Sequence, residues 1–496
     1  MKVLVFVSQD TTSMHVTAGS LLHCPQPASI GKEAMMPAEH FDIAVVGGGK
    51  GGKTLAVKMA SAGRRVVMIE QGMIGGSCIN VACIPTKTLV QSAKVAELSR
   101  RAAALGLRVG FAGVDAAGLR QHKRAVVAEM VARNQANFDH SGMTLLIGTA
   151  RFTGPRELDV SLPSGDVRRL AADQVFINTG TRPALPPIPG LAAAQALNIE
   201  TIQELDHMPK HLLILGAGYV GCEFAQMYRR FGSRVTLIEG SPDFLPREDR
   251  DIAAQVKGLF EDDGIDLQLG AQVQSVSGQS AESVRVALQT PSGAKFADGT
   301  HLLAALGRVP NTEALNLAAA GVATNSHGFI QVNERLETTA PGIWALGDVK
   351  GGPQFTHISL DDFRIVAANL AGGKRSTADR PMPYVMFIDP ELARVGLTEA
   401  EARQRGLSVR VARLPAKAVP RAMTSGETRG LMKAVVEAST DRILGAAILA
   451  AGGGEVMSVI QVAMQAGLRY TALRDGIFAH PTMSEGLNDL FAHLEP

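Results

Sequence analysis

Two cysteines five residues apart are the side chains of this sequence best suited to chemistry. Cys78 and Cys83 lie in a stretch with a helical pattern. In an ideal helix, Cα atoms five residues apart are about 8.6 Å apart, farther than the roughly 7 Å that a disulfide tolerates. A disulfide here must therefore distort the start of the helix, and such strain makes a disulfide easier to reduce. Because a helix N-terminus also favours the thiolate, the pair indicates a redox couple.

The cysteine count limits the other interpretations of this pair. The chain has four cysteines, too few for the disulfide scaffold of a secreted protein. A close pair in a cytosolic protein more often serves catalysis or metal binding. The spacing alone also fits two ordinary buried thiols, since cysteine is among the most buried residues. Cys24 and Cys222 have no neighbouring cysteine or ligand cluster in the sequence, and we assign them no chemistry.

Two glycine-rich turns are the next chemical feature, and each lies between a predicted strand and a predicted helix. They span residues 47–52 and 216–221. In both, the first glycine precedes an acidic residue at the end of the next strand, Glu70 or Glu239, by 23 residues. This spacing is typical of dinucleotide-binding βαβ units, in which the pyrophosphate meets a helix N-terminus. We therefore predict two such units, although a single turn of this kind often only packs a helix on a strand.

The length and composition predict a multidomain α/β enzyme. At 496 residues the chain exceeds what one core usually fills, and its 52 glycines fit many tight turns. Its 49 basic and 47 acidic residues form no dense basic stripe, so nucleic acid is not an expected partner. No apolar run approaches the roughly 18 residues that cross a bilayer, and the first is too short for a signal sequence. We expect no membrane association and a cytoplasmic location.

Two breaks in composition predict domain boundaries. Residues 182–190 are rich in proline, which is typical of a semi-rigid connector. Residues 372–377 precede a C-terminal third that alternates strand-like and helical runs and has no nucleotide-binding turn. Residues 1–38 have no clear periodicity, and we expect a disordered extension or a misassigned start without a function.

Seven motifs, in order, make the chain resemble the pyridine nucleotide-disulfide oxidoreductase family from about residue 40 onward. They lie at residues 47–52, 78–87, 178–180, 216–223, 305–311, 345–348 and 480–485. The family includes dihydrolipoyl dehydrogenase, glutathione reductase and mercuric reductase. The resemblance implies an α/β fold with two Rossmann-like domains, for FAD and NAD(P), and a C-terminal α+β dimerisation domain. The FAD domain would comprise residues 39–190 and 307–380, the NAD(P)H domain residues 191–306, and the dimerisation domain residues 381–496.

The same resemblance assigns cofactor-binding residues by position. FAD would be held by Gly47, Gly49, Gly52, Glu70, Lys87, Ala150, Gly180, Asp348 and Thr356. The nicotinamide nucleotide would be held by Gly216, Gly218, Gly221, Glu239 and Gly307. Glu239 favours NADH, because a carboxylate accepts a hydrogen bond from a free ribose 2′-hydroxyl but repels a 2′-phosphate. Arg247 lies close enough in sequence to leave NADPH as the alternative.

The resemblance also implies a route for the electrons. Hydride would pass from the nicotinamide to the flavin and then to the disulfide, with Cys83 facing the flavin and Cys78 attacking the substrate. Lys87 and Glu223 would pair beside the flavin ring. Without the family, they would be interpreted as a surface lysine and a helix-face glutamate.

A second pair near the C-terminus completes the implied chemistry. His480, oriented by Glu485, would act as acid and base for the thiols. A lone histidine is more often structural, but the motif that contains this one favours catalysis. The resemblance places the pair opposite the cysteines of another subunit, so we predict a homodimer.

The electron acceptor is predicted from one branch of the family. Residues 51–56, 355–366 and 473–478 look similar to the bacterial reactive-chlorine-resistance flavoproteins, which reduce copper(II). A reduced cysteine pair is a soft ligand set that favours Cu(I), so Cys78 and Cys83 would bind the substrate metal transiently. The chain ends without the vicinal cysteines typical of mercuric reductases, which disfavours mercury. We expect a reductase of copper(II) or of a small disulfide in oxidative or reactive-chlorine stress defence.

One residue departs from the family pattern, one histidine has no assigned role, and the sequence is also compatible with other functions. Ala82 replaces the glycine usual before the second cysteine, and His357 has no role beyond packing that the sequence can supply. Alternatives of the same class are dihydrolipoyl dehydrogenase and mercuric reductase-like activity. In another class, the chain would be a flavin-containing NADH sensor or interaction protein whose cysteines are vestigial.

Overall fold

The structure, a computed structural model, describes residues 38–378 and 380–495. The predicted N-terminal extension, residues 1–38, lies outside the described residues apart from its last one. In the described ranges, no helix is both long enough and apolar enough to span a membrane.

The first part of the chain builds most of a seven-stranded sheet. In chain order its elements are β1 (Glu39–Val46), α1 (Lys50–Ser61), β2 (Val66–Glu70), α2 (Ser77–Asn80), α3 (Cys83–Arg101), α4 (Ala116–His140), β3 (Thr144–Ile147), β4 (Thr149–Gly154), β5 (Glu157–Ser161), β6 (Val167–Ile177) and β7 (Thr181–Pro183). The strand order is β3-β2-β1-β6-β5-β4, and the first four run parallel. The turn after β1 therefore lies where the strand order reverses, which is where ligands bind in open α/β sheets.

The next part builds a second, smaller unit. Its elements are β8 (His211–Leu215), α5 (Tyr219–Arg230), β9 (Arg234–Ile238), α6 (Arg250–Asp262), β10 (Asp266–Gln268), β11 (Gln272–Gln279), β12 (Ser283–Thr290), β13 (Gly293–Gly299) and β14 (His301–Ala304). The parallel sheet has the order β10-β9-β8-β14, and β11 to β13 form an antiparallel sheet. Because β8 lies between β9 and β14, the second glycine turn also lies at a reversal of strand order.

The chain then returns to the first sheet. The elements are β15 (Arg308–Pro310), β16 (Ile343–Ala345) and α7 (Thr356–Leu370). β15 pairs with β7, and β16 pairs in parallel with the last residues of β6. The first sheet is thus completed by a strand that follows the whole second unit in sequence.

The C-terminal part is an antiparallel sheet covered by helices. Its elements are β17 (Tyr384–Met386), β18 (Glu391–Gly396), α8 (Glu399–Gln404), β19 (Val409–Pro415), α9 (Pro420–Ser425), β20 (Leu431–Glu437), β21 (Ile443–Ala450), α10 (Gly453–Gln465), α11 (Thr471–Arg474), α12 (Gly486–Ala492) and β22 (Leu494–Glu495). The order is β17-β18-β21-β20-β19-β22. Ile460 of α10 and Phe491 of α12 are buried against this sheet in one apolar core.

Candidate active site

A break between two helices brings the two cysteines together. Cys78 lies in α2, and Cys83 is the first residue of α3. Val81 and Ala82 leave helical geometry between them, with ψ angles of −8° and −100°. Both cysteines are half-buried free thiols, and each is the largest influence on the pKa of the other. The helical pattern is therefore interrupted where contact between cysteines five residues apart requires it.

One buried side chain supports this break from a distance. The Val81 carbonyl accepts a hydrogen bond from Gln203 Nε2 at 3.0 Å, and Gln203 is buried. The Val81 and Ala82 amides both donate to the Ser77 carbonyl at 2.9 Å. Ala82 has a φ of −118°, so alanine replaces the family's glycine without left-handed strain. No sequence motif marks Gln203, which lies 122 positions from the residue that it contacts.

The two thiols have opposite electrostatic environments. The hydrogen bond from Cys78 lowers the pKa of Cys83 to about 6, and the Thr356 hydroxyl and the Lys87 ammonium act in the same direction against burial. Thr356 Oγ1 lies 3.5 Å from Cys83 Sγ. The contact with Cys83, together with burial, raises the pKa of Cys78 above its usual value. At neutral pH, Cys83 is therefore the thiolate of the pair, and Cys78 stays protonated.

An ion pair one helical turn beyond Cys83 joins the two nucleotide-binding units. Lys87 Nζ donates to Glu223 Oε2 at 2.7 Å, and the glutamate side chain is only 6% exposed. Glu223 Oε1 accepts from the backbone amide of Phe387 at 2.9 Å. The ammonium also lies 4.8 Å from the centre of the Phe387 ring. The structure thus brings together the two residues that the sequence predicts as a pair.

The first glycine turn has the geometry of a phosphate-binding loop. It leads from β1 to Gly49, the N-cap of α1, and helix N-termini attract phosphates. Glu70, at the end of β2, accepts from the Gly48 amide through Oε2 at 2.7 Å. A Cβ at Gly52 would overlap the Gly47 carbonyl oxygen, so this close packing requires glycine. The contacts fit the ADP half of a dinucleotide.

The second glycine turn repeats these contacts. Glu239, at the end of β9, accepts from the Ala217 amide through Oε2 at 2.8 Å. Gly218 is the N-cap of α5. A Cβ at Gly221 would overlap the Gly216 carbonyl oxygen. The two units therefore contain glycine turns of equivalent geometry.

The other predicted cofactor residues mostly follow the carboxyl ends of strands. Gly180 follows β6, Asp348 follows β16, and Gly307 follows β14. Burial raises the pKa of Asp348, and the Thr181 hydroxyl donates to its Oδ2 at 3.2 Å. Ala150 lies in β4 with its side chain in the core, so only its backbone can face a ligand.

Asn178 is a further residue that contacts the first glycine turn. It lies in one of the sequence motifs but is not among the predicted site residues. Its Oδ1 accepts from the Gly52 amide at 2.8 Å, and its Nδ2 donates to the Leu346 carbonyl at 2.7 Å. One side chain thus connects the glycine turn to the segment that carries Asp348. Its position directly after β6 is the signal that could have identified it.

The predicted His480–Glu485 pair is formed within one subunit. His480 Nδ1 lies 2.9 Å from Glu485 Oε2, and the side chains are 70% and 14% exposed. Among the residues described, His480 forms no hydrogen bond with Cys78 or Cys83. The oriented imidazole therefore faces outward and is available to a second subunit.

Two further observations concern metals and His357. Within residues 38–378 and 380–495, no group of three or more His, Cys, Asp or Glu side chains is arranged to hold a metal. His357 Nε2 lies 2.7 Å from the Pro383 carbonyl oxygen, and its ring stacks on Phe355 with centroids 5.2 Å apart. These contacts describe a packing residue.

The fold and the paired sites define a class, the flavin- and nicotinamide-dependent disulfide oxidoreductases. Residues 41–362 match the family model described as pyridine nucleotide-disulphide oxidoreductase, and residues 382–491 match the dimerisation domain of that family. The chain belongs to the pyridine nucleotide-disulphide oxidoreductase family, whose enzymes depend on FAD and a pyridine nucleotide. The predicted family, the enzyme class and the α/β fold with its dimerisation domain are confirmed.

Named relatives lie in several branches of the family. The chain is 43% identical to the probable pyridine nucleotide-disulfide oxidoreductase RclA of Escherichia coli (strain K12), across 91% of this chain and 99% of that protein. It is 36% identical to the dihydrolipoyl dehydrogenase of Thermus scotoductus, across 90% and 96%. It is 35% identical to the mercuric reductase of Lysinibacillus sphaericus, across 93% and 84%.

Solved structures agree with these relatives. A structure described as the Cu(II) complex of HOCl-induced flavoprotein disulfide reductase RclA from Escherichia coli has a TM-score of 0.82 at 42% identity. The match covers 91% of this chain and 99% of that chain. The present chain is accordingly similar, over almost its whole described length, to a flavoprotein disulfide reductase.

Proposed function

We propose that the chain passes electrons from NADH, through bound FAD, to the Cys78–Cys83 pair and from there to Cu(II) or a small disulfide. One observation carries the proposal: the break at Val81 and Ala82 places Cys83 at the start of α3, where Thr356 Oγ1 lies 3.5 Å from its sulfur. The pKa of Cys83 is lowered there, whereas that of Cys78 is raised. The Lys87–Glu223 ion pair, one turn beyond Cys83, adds a fixed charge at the same site.

The residues of the chain have distinct proposed tasks in this transfer. Bound FAD would supply a carrier that accepts hydride from the nicotinamide and reduces the disulfide. Two-electron reduction breaks the S–S bond and leaves a thiolate on Cys83 and a thiol on Cys78. Lys87 stabilises the negative charge on Cys83, and Glu223 orients Lys87. Cys78 is the thiol left to react with the acceptor.

The cofactor assignments made from the sequence are part of this proposal. FAD would bind residues 39–190 and 307–380, at Gly47, Gly49, Gly52, Glu70, Lys87, Ala150, Gly180, Asp348 and Thr356. The nicotinamide nucleotide would bind residues 191–306, at Gly216, Gly218, Gly221, Glu239 and Gly307. Support comes from the repeated carboxylate-to-turn contact, with Glu70 on one turn and Glu239 on the other. The Glu239 carboxylate at the ribose position favours NADH over NADPH.

Cu(II) is the acceptor that we favour. A relative 42% identical to this chain has been solved as a Cu(II) complex, and a thiolate pair favours Cu(I). In the reaction, two Cu(II) ions each take one electron, the Cys78–Cys83 disulfide forms, and one proton is released from the thiol. The two sulfurs would be transient ligands of the substrate metal. The HOCl-induced relative also supports a role in reactive-chlorine stress defence.

A homodimer would complete the active site. Residues 381–496 would form the dimerisation domain, and four exposed apolar side chains, Met423, Val462, Leu468 and Ile477, lie there. His480, oriented by Glu485, would exchange protons with the cysteines of the partner subunit. We propose that this dimer acts in the cytoplasm.

An anaerobic titration of the purified holoenzyme with NADH tests the proposal. Wild type is expected to take up two electrons beyond those needed by the flavin, whereas Cys83→Ser takes up only those that the flavin needs. Cu(II), oxidised glutathione and lipoamide are then added separately to the reduced enzyme, and the fastest reoxidation identifies the acceptor. Equal electron uptake by both proteins would favour the flavin-containing sensor with vestigial cysteines. Faster reoxidation by lipoamide would favour dihydrolipoyl dehydrogenase.

A further inference from the structure

Lys53 is a buried lysine on α1, the helix that follows the first glycine turn. It is only 8% exposed. Its Nζ donates to Asn134 Oδ1 at 2.7 Å and to the Gly75 carbonyl at 3.2 Å. The Asn134 amide is itself fixed, because its Nδ2 donates to the Met130 carbonyl at 2.7 Å. In the described part of the chain no carboxylate pairs with this ammonium, although buried lysines usually have one.

The Gly75 contact places Lys53 at the turn that leads into Cys78. Three consecutive carbonyls of this turn each accept a hydrogen bond from a side chain. Asn80 Nδ2 donates to Ile74 and Gly76 at 3.0 and 2.9 Å, and Lys53 donates to Gly75. Asn80 is part of the same turn, whereas Lys53 lies 22 residues before Gly75. Lys53 therefore fixes the turn to the phosphate-binding helix.

The charge of Lys53 also acts on the sulfur of Cys78. The contact with Cys83 and burial raise the pKa of Cys78, whereas the Thr356 hydroxyl and the Lys53 ammonium oppose the rise. Burial, followed by repulsion from Lys50, lowers the pKa of Lys53 to about 8, and Cys78 opposes this fall. The ammonium is thus still mainly charged at neutral pH and is coupled electrostatically to Cys78.

Reduction makes the cysteine pair more negative, so the buried Lys53 ammonium can stabilise the reduced state. NADH and the disulfide yield NAD⁺, one thiol and one thiolate, so the pair gains one negative charge. We propose, on the basis of the redox role proposed above for Cys78 and Cys83, that Lys53 is a positioning residue of this centre. Its buried ammonium holds the Gly75 turn and stabilises the reduced pair relative to the disulfide.

Lys53→Met replaces the ammonium by a neutral side chain of similar size, and its effect is expected on the redox equilibrium of the cysteine pair. Lys53→Met shifts the equilibrium between dithiol and disulfide toward the disulfide by about tenfold, which is about 30 mV for a two-electron couple. Lys53→Arg keeps the charge and shifts the equilibrium by less than about threefold, or about 15 mV. Asn134→Asp keeps the Lys53 ammonium but places a compensating negative charge beside it, so it is expected to shift the equilibrium in the same direction as Lys53→Met.

The test equilibrates each holoenzyme with dithiol buffers of graded ratio and counts free Cys78 and Cys83 by alkylation and mass spectrometry. Lys58→Met is the matched control, since Lys58 is exposed on the same helix. Lys53→Met and Asn134→Asp should require a more reducing buffer, while the control titrates with wild type. Superposition of all curves would overturn the role of Lys53. If the wild-type cysteines do not titrate at all, the proposed redox function itself fails.

Discussion

Lys87 and Glu223 form an ion pair across the junction between the two nucleotide-binding units. The Nζ to Oε2 distance is 2.7 Å, and Glu223 is nearly buried. One partner lies on α3, which begins with Cys83, and the other on α5, which follows the second glycine turn. The pair therefore connects the helix that begins with Cys83 to the second unit.

Lys87→Met tests this connection. The substitution leaves the buried Glu223 carboxylate without its cation, which should lower the free energy of unfolding by about 1–3 kcal/mol. It also removes positive charge near Cys83, so reduction by NADH should slow by about tenfold or more. Thermal unfolding and stopped-flow reduction measure the two effects. Lys257→Met is the control, because its pair with Glu261 is exposed and worth little; equal effects of the two substitutions would contradict the assignment.

The ionisation of Cys83 makes a prediction about pH. Its pKa of about 6 means that the reduced pair keeps its thiolate above pH 6 and loses it as the pH falls through 6. Thr356→Val removes one of the groups that favour the thiolate. Since a hydrogen bond to a charged group is worth about 1.5 kcal/mol, the midpoint should rise by about one pH unit. Thiolate absorbance of the reduced enzyme, followed against pH, gives the midpoint; an unchanged midpoint would exclude a role for the Thr356 hydroxyl.

Local sequence patterns were sufficient to predict the nucleotide-binding turns. The strand predicted before the first glycine turn is β1 (Glu39–Val46), and the strand-like runs predicted in the C-terminal third include β20 (Leu431–Glu437) and β21 (Ile443–Ala450). Glu70 and Glu239 lie at strand ends, as the spacing requires. These features depend on hydrophobic runs, glycines and short intervals, which a single sequence displays directly.

Contacts between distant parts of the chain could not be predicted in the same way. Gln203 supports Val81 from 122 positions away, and Lys53 reaches Asn134 across 81 positions. Gln203 belongs to no motif, and Lys53 lies in the segment 51–56 without a role that the segment assigns to it. Both would be expected on a surface from residue type alone. Their partners are set by how helices and linkers pack, and this information is not contained in local spacing.

Substitutions at Gly221 and Gly218 distinguish an effect on the folding of the second turn from an effect on nucleotide binding alone. A Cβ at Gly221 would overlap the Gly216 carbonyl oxygen, so Gly221→Ala should destabilise the turn and abolish NADH binding. A Cβ at Gly218 meets no atom within 4 Å, so Gly218→Ala should fold normally and weaken NADH binding by about tenfold through its approach to the pyrophosphate. Gly258→Ala in α6, also free of contacts, serves as control and should stabilise the helix by about 1 kcal/mol. Calorimetric titration with NADH compares the three; normal binding by Gly221→Ala would contradict the role of this turn.

Arg394 connects the second unit to the C-terminal sheet. Its guanidinium is 3% exposed and bonds to the carboxylates of Glu248, at 2.7 Å, and Asp249. Arg394→Met leaves two buried carboxylates without this cation, and the free energy of unfolding should fall by about 3–5 kcal/mol. Arg403→Met is the comparison, since Arg403 pairs with Glu399 on an exposed helix surface and should change stability by less than about 1 kcal/mol. Chemical denaturation measures the free energy of unfolding of both variants. A similar decrease in the two would show that the buried Arg394 pairs stabilise the fold no more than an exposed pair does.

The outward-facing His480 makes a prediction that only a dimer can fulfil. His480→Ala removes the proton-transfer group, so turnover with a disulfide substrate should fall by about 10²–10⁴-fold while reduction by NADH is retained. Cys78→Ser should also abolish turnover. If His480 serves the cysteines of the other subunit, dissociating and reassociating the two inactive variants together gives mixed dimers with one intact site each. Random mixing then restores about a quarter of the wild-type activity, because half of the dimers are mixed. If His480 serves its own subunit, mixed dimers contain no intact site and the mixture stays inactive.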